Sequence, residues 1–199
     1  MTNSESAERL EATWQARAQN LATRKDPLTG VSEFPDLHER AIERKPLPPA
    51  RTGGLPSIRY GQEFERLRDR ADANPGGRPR VFLATLGTVA QHTARATFAA
   101  NLFAAGGIEA INPGATSSVA DVVAAFLRSH TTVACLCGTD LAYQEQADEV
   151  AAALRKAGAT RILLAGKPSD AYQGIDGFVY AGCNALEVLT ATLEHLEVA

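Results

Sequence analysis

Downstream of Pro75-Gly76-Gly77 the sequence alternates short β-type runs with Ala-rich stretches of helical period, a pattern few folds accommodate. Val81 to Leu86 is an apolar run of strand length, and Thr93 to Ala105 reads as a helix that stops at Gly106-Gly107. Ile108 to Ile111 is a short strand closed by Asn112-Pro113-Gly114. Ser118 to Ser129 is a helix with Val119, Val122, Val123 and Phe126 turned inward. Thr132 to Cys137 needs cover on both faces and reads as the central strand of a parallel sheet. Leu141 to Ala157 is helical, Arg161 to Ala165 is a strand ended by Gly166, Phe178 to Tyr180 is a fifth strand, and Asn184 to Leu196 is the closing helix. Right-handed crossovers between such units give a doubly wound sheet. Five strands take the order 2-1-3-4-5, a flavodoxin-like α/β fold.

The first 77 residues have a different character. Ala7, Leu10, Trp14, Ala18 and Leu21 form one apolar stripe on a helix expected from Ser4 to Leu21, with Ser4 as its N-cap. Asp26-Pro27-Leu28-Thr29-Gly30 is a turn signal. Prolines 35, 46, 48, 49 and 56 then forbid a continuous helix, so residues 31–56 read as an extended strap. The strap carries Val31, Phe34, Leu37, Ile42 and Leu47, too many apolar groups for a solvated linker, so it is expected to lie on another surface. A second helix, Gln62 to Ala73, presents Phe64, Leu67 and Ala71 on one side. The division implied is an N-terminal docking arm, 1–77, and an α/β domain, 78–199.

Composition narrows the function classes. With 45% apolar and 22% charged residues the chain is globular in type, and a net charge of −3 offers no basic surface for nucleic acid. No apolar run approaches the roughly 20 residues of a membrane span, and the polar, acidic first residues are neither a signal nor a transit peptide. The three cysteines, Cys135, Cys137 and Cys183, lack framework spacing and are expected to be reduced core residues of a cytoplasmic protein.

In a doubly wound sheet ligands bind at the carboxyl ends of the strands. Three loops should converge there: Gly87 to His92, Gly138 to Leu141, and Gly166 to Asp170. None is a phosphate cradle, because the first has a single glycine where a dinucleotide fingerprint needs three. Asp140 has no acidic pair to join it, which removes a magnesium pocket. His92 is the one imidazole at this edge. A lone histidine at a helix start is ordinarily a capping or packing residue, and as a metal ligand it would need a second-shell acceptor that Ala90, two residues earlier, does not supply. His38, His130 and His195 do not form a spaced ligand set.

Three stretches carry a family resemblance: Ala22 to Pro35 with Asp26-Pro27-Leu28-Thr29-Gly30 at its centre, Glu43-Arg44-Lys45-Pro46, and Ala90 to Gly107. The chain resembles the C-terminal region of the small (β) subunit of methylmalonyl-CoA mutase, with a degenerate cobalamin-binding-type domain. The wider family's Asp-x-His-x-x-Gly motif, whose histidine binds cobalt, falls on Ala90, His92 and Arg95, so the histidine is kept while the Asp and Gly are lost. Its Ser-x-Leu falls on Thr139-Asp140-Leu141, and its Gly-Gly on Ala165-Gly166.

The resemblance implies a structural and assembly role in a cobalamin-dependent isomerase that interconverts methylmalonyl-CoA and succinyl-CoA. The partner would be the large subunit or the remaining barrel portion. No cofactor is expected in this chain, while adenosylcobalamin serves the assembled enzyme. If cobalamin binds here after all, His92 would hold the cobalt and Thr88, Thr139 and Gly166 would line the site, making the chain a carrier or sensor. A third possibility is a small-molecule-binding protein using Thr88, Thr139, Asp140 and Ser169. Without the barrel, the chain is a fragment or a separately encoded piece, and the resemblance implies that alone it is inactive.

Overall fold

Period-2 patterning on each strand sends alternate side chains to opposite faces, and both faces of this sheet are apolar. A computed structural model describes residues 3–40, 45 and 58–198. The elements run α1 (Asn3–Ala22), α2 (Gln62–Asp72), β1 (Arg80–Thr85), α3 (Val89–Ala105), β2 (Glu109–Ile111), α4 (Val119–Ser129), β3 (Val133–Cys137), α5 (Asp140–Lys156), β4 (Arg161–Ala165), β5 (Gly177–Val179) and α6 (Ala185–His195). The strands pair in parallel in the order β2-β1-β3-β4-β5, as expected from the sequence.

Val81, Leu83, Val133, Cys135, Cys137, Leu163 and Ala165 face one side, where Leu102 and Phe103 of α3 and Leu189 and Leu193 of α6 cover them. Phe82, Ala84, Ala134, Leu136, Ile162 and Leu164 face the other, under Val122 and Phe126 of α4 and Val150 and Leu154 of α5. Phe82 and Phe126 meet edge to face, with ring centroids 5.6 Å apart. Helix starts are set by side-chain caps: Ser118 accepts from the Asp121 N–H (3.1 Å) and Thr139 from the Ala142 N–H (3.2 Å).

α2 belongs to the first of these cores. Phe64, Leu67 and Ala71 are buried in it, against the turn that joins α3 to β2. That turn requires glycine: Gly107 has φ +78°, and a Cβ there would come within 2.7 Å of the Ala71 Cβ. α1 is less covered. The helix begins at Asn3, so Ser4 lies inside it rather than at its cap. Along the expected stripe Leu10 and Ala18 are exposed, Trp14 is half-buried, and Leu21 is buried.

The start of the expected strap is compact rather than extended. A bridge joins Thr29 and Glu33, and the buried Ser32 hydroxyl accepts from the Leu28 N–H at 2.9 Å. Ile42, Leu47, Glu43, Arg44 and Pro46 lie outside the described residues.

Candidate functional site

The carboxyl edge of the sheet is closed by side chains from α3 and α5. The first loop is shorter than expected: α3 starts at Val89, where the sequence reading continued the loop through His92. The cause is local. The Gln91 side-chain oxygen accepts from the Thr88 N–H at 2.7 Å, a capping interaction that begins the helix early. Gly87 permits it with φ +80°, since a Cβ there would sit 2.5 Å from the same oxygen.

His92 therefore sits in the first turn of α3 and is 3% exposed. Its Nδ1 is buried without a partner among the described residues. Thr88 is exposed at the helix cap, Thr139 caps α5, and Gly166 follows β4. A Cβ on Gly166 would come within 2.9 Å of Leu164 and 3.7 Å of an Arg95 nitrogen, so the loop after β4 is packed against the arginine.

Arg95 spans the site. Nη1 donates to the Gly138 carbonyl (2.9 Å), Nη2 to the Asp140 carboxylate (2.5 Å), and the guanidinium lies 4.9 Å over the Tyr143 ring. Burial alone would lower the Arg95 pKa, but hydrogen bonding to Asp140 and Tyr143 outweighs it and holds the group above its ordinary value. Glu109, a carboxylate on the neighbouring strand β2, pairs instead with Arg80 (3.0 Å).

Tyr143 was not singled out from the sequence, yet it organises this edge. Its hydroxyl donates to the Ala165 carbonyl (2.8 Å), accepts from the Gly138 N–H (2.9 Å) and lies 3.1 Å from the Leu136 carbonyl. It thus ties the end of β3 to the end of β4. Burial first, and the neighbouring Cys137 second, push its pKa well above the ordinary tyrosine value. The signal available in the sequence was a lone tyrosine in the first turn of an Ala-rich helix.

Beside this cluster is a cavity of about 420 Å³ lined by Arg95, Asp140, Tyr143, Lys167, Ser169 and Tyr172. A larger one, about 510 Å³, lies at the opposite edge near Arg78, Arg80, His130 and His195. The fold places ligands at the carboxyl edge, so the smaller cavity is the candidate site. Among the described residues no three His, Cys, Asp or Glu side chains could share a metal ion, and no helix is long and apolar enough to cross a membrane.

Sheet order, crossovers and edge loops define a flavodoxin-like α/β domain. No protein-family model matches the chain. It is 51% identical to the methylmalonyl-CoA mutase small subunit of Streptomyces virginiae, over 96% of this chain and 31% of the relative. It is 41% identical to a probable methylmalonyl-CoA mutase small subunit of Mycobacterium tuberculosis (90% and 29%) and 39% identical to the small subunit of Propionibacterium freudenreichii subsp. shermanii (96% and 31%). The chain is a small-subunit-like region of the methylmalonyl-CoA mutase family and spans about a third of the length of these curated relatives.

Proposed function

We propose that this chain is a structural and assembly part of methylmalonyl-CoA mutase, the cobalamin-dependent isomerase of methylmalonyl-CoA and succinyl-CoA, and does not itself bind cobalamin. In this reading residues 1–77 form a docking arm, anchored by α2, that together with the α/β domain engages the large subunit. The adenosylcobalamin of the assembled enzyme resides in that partner.

One observation carries the cofactor part of the reading: Arg95 lies over Tyr143 and is fastened to Asp140 and Gly138. The resemblance puts a glycine at that position, where the edge of a corrin needs room. His92 supports the same conclusion. Cobalt ligation needs an accessible ring nitrogen and an oriented opposite one, whereas His92 is buried and its Nδ1 has no partner among the described residues. The residues present do not fit the cofactor.

Titration with hydroxocobalamin and adenosylcobalamin, followed by visible absorbance and calorimetry, is expected to show no binding at tens of micromolar. The isolated chain is also expected to show no mutase turnover. A base-off spectrum that His92→Ala abolishes would overturn the cofactor part and make the chain a cobalamin carrier.

A further inference from the structure

We infer that the carboxyl edge is a guanidinium receptor filled from within: the Gly138 carbonyl, the Asp140 carboxylate and the Tyr143 ring bind the Arg95 head as they would bind a free alkylguanidinium, and this internal occupant keeps the edge shut. The inference rests on the cofactor reading above and says what holds the edge in place of a ligand.

Three contacts of different kinds converge on one planar group. Nη1 and Nη2 donate to separate acceptors, the Gly138 carbonyl at 2.9 Å and Asp140 at 2.5 Å, while the guanidinium lies 4.9 Å over the Tyr143 ring. A flat, forked cation satisfies all three at once, whereas an ammonium is a point charge and does not. The Asp140 side chain is 78% exposed, so the ion pair alone would contribute little. Gly138 and Tyr143 are buried, and their contacts select for the shape of the group as well as its charge.

The receptor is built without Arg95. The Tyr143 hydroxyl is held by the Gly138 N–H and by the Ala165 and Leu136 carbonyls, which sets the ring. The Thr139 hydroxyl accepts from the Ala142 N–H, which sets the backbone between Gly138 and Asp140. Gly138 is closely packed, since a Cβ there would come within 3.0 Å of the Leu86 Cβ. None of these contacts involves Arg95. The acceptors therefore keep their places when its side chain is removed, and a preformed site binds at low ordering cost.

The occupant comes from another layer of the fold. Arg95 stands on α3, whose Leu102 and Phe103 cover one face of the sheet. Gly138, Asp140 and Tyr143 belong to the end of β3 and the start of α5, whose Val150 and Leu154 cover the other face. The arginine thus reaches over the carboxyl edge, where doubly wound sheets take their ligands, and joins the two layers. The cavity of about 420 Å³ that Arg95, Asp140 and Tyr143 line gives solutes access to the receptor.

The test is chemical rescue in the full chain. Arg95→Ala deletes the atoms of an ethylguanidinium ion, and the variant is expected to melt about 2–4 °C below the wild type. Arg95→Lys, which keeps the charge without the fork, should lose nearly as much. Millimolar ethylguanidinium should recover most of the Arg95→Ala loss and saturate. Ethylammonium at equal ionic strength should not, and the wild type, whose receptor is filled, should gain nothing from either. Adding Asp140→Ala to Arg95→Ala should abolish the recovery. If Arg95→Ala does not fold, its refolding yield in ethylguanidinium against ethylammonium is measured instead, and the first is expected to be the higher. A wild-type melting temperature in Arg95→Ala, an equal response to the two cations, or an equal response in the wild type overturns the inference. Each of these leaves the cofactor reading intact, since that reading requires only that the wild-type chain not bind cobalamin. Cobalamin binding by the wild type defeats the cofactor reading and this inference with it, because the corrin would have to displace Arg95.

Discussion

Phe64→Ala is expected to lower the unfolding free energy by about 3–5 kcal/mol, the usual cost of truncating a fully buried aromatic. Phe64 is completely buried where α2 meets the first sheet face, and Leu67 and Ala71 complete the contact. The packing is too close to relax into the space left behind, since Ala71 lies against the backbone turn at Gly107. α1 should loosen as well, because Tyr60, just before α2, donates to the Arg17 carbonyl at 3.2 Å and lies under the Arg17 guanidinium. Urea unfolding followed by circular dichroism measures the loss, and limited proteolysis should cut the first 60 residues faster in the variant. A loss below about 1 kcal/mol, as for surface changes, would mean that α2 is peripheral.

Tyr143→Phe is expected to cost about 2–3 kcal/mol, because it strands the buried Gly138 N–H and removes the donor to Ala165. This loss should depend on pH in a specified direction. The Tyr143 pKa is raised in the fold, chiefly by burial. The neutral hydroxyl therefore stabilises the folded state fully below the unfolded tyrosine value of about 10, and that contribution falls as pH rises beyond it. The gap between wild type and Tyr143→Phe should be constant at neutral pH and narrow above about pH 10. A gap that widens there would contradict the assignment of a neutral, hydrogen-bonded hydroxyl. Melting temperatures from pH 7 to 11 decide the matter.

The sheet was legible because its signal is redundant. Each strand is an apolar run bounded by glycine or a turn, and alternate residues such as Val81 and Phe82 had to find cover on opposite faces. Strand order followed from the arrangement usual for five such units, and crossover handedness fixed the sense of winding. Helix starts were less legible. Thr88 and Gln91 have the spacing of a capping box, but the expected site loop led the reading past them, and His92 was placed in a loop instead of a buried helical turn. That Arg95 stands where the motif has glycine was legible, whereas its partners depend on how α3 and α5 approach, which no local pattern encodes. Tyr143 was missed for the same reason: its three backbone neighbours come from the ends of two strands. The stripe on α1 was legible as a pattern but not as a contact, since periodicity says which residues share a face and not whether anything covers it.

The middle strand also supplies an internal clock. Cys135 and Cys137 are completely buried on β3, and Cys183 nearly so in the same core. Thiols react as thiolates, and Cys135 is held well above its ordinary pKa by its neighbour Cys137 and by burial. In native buffer an aromatic disulfide reagent can reach the two β3 sulfurs only when the sheet parts. Where the reagent reacts faster than the sheet recloses, the colour that develops follows the opening rate rather than thiol chemistry. In that regime the unaltered protein reports its own lifetime, and the same cuvette assay ranks every variant above by how often its centre is breached.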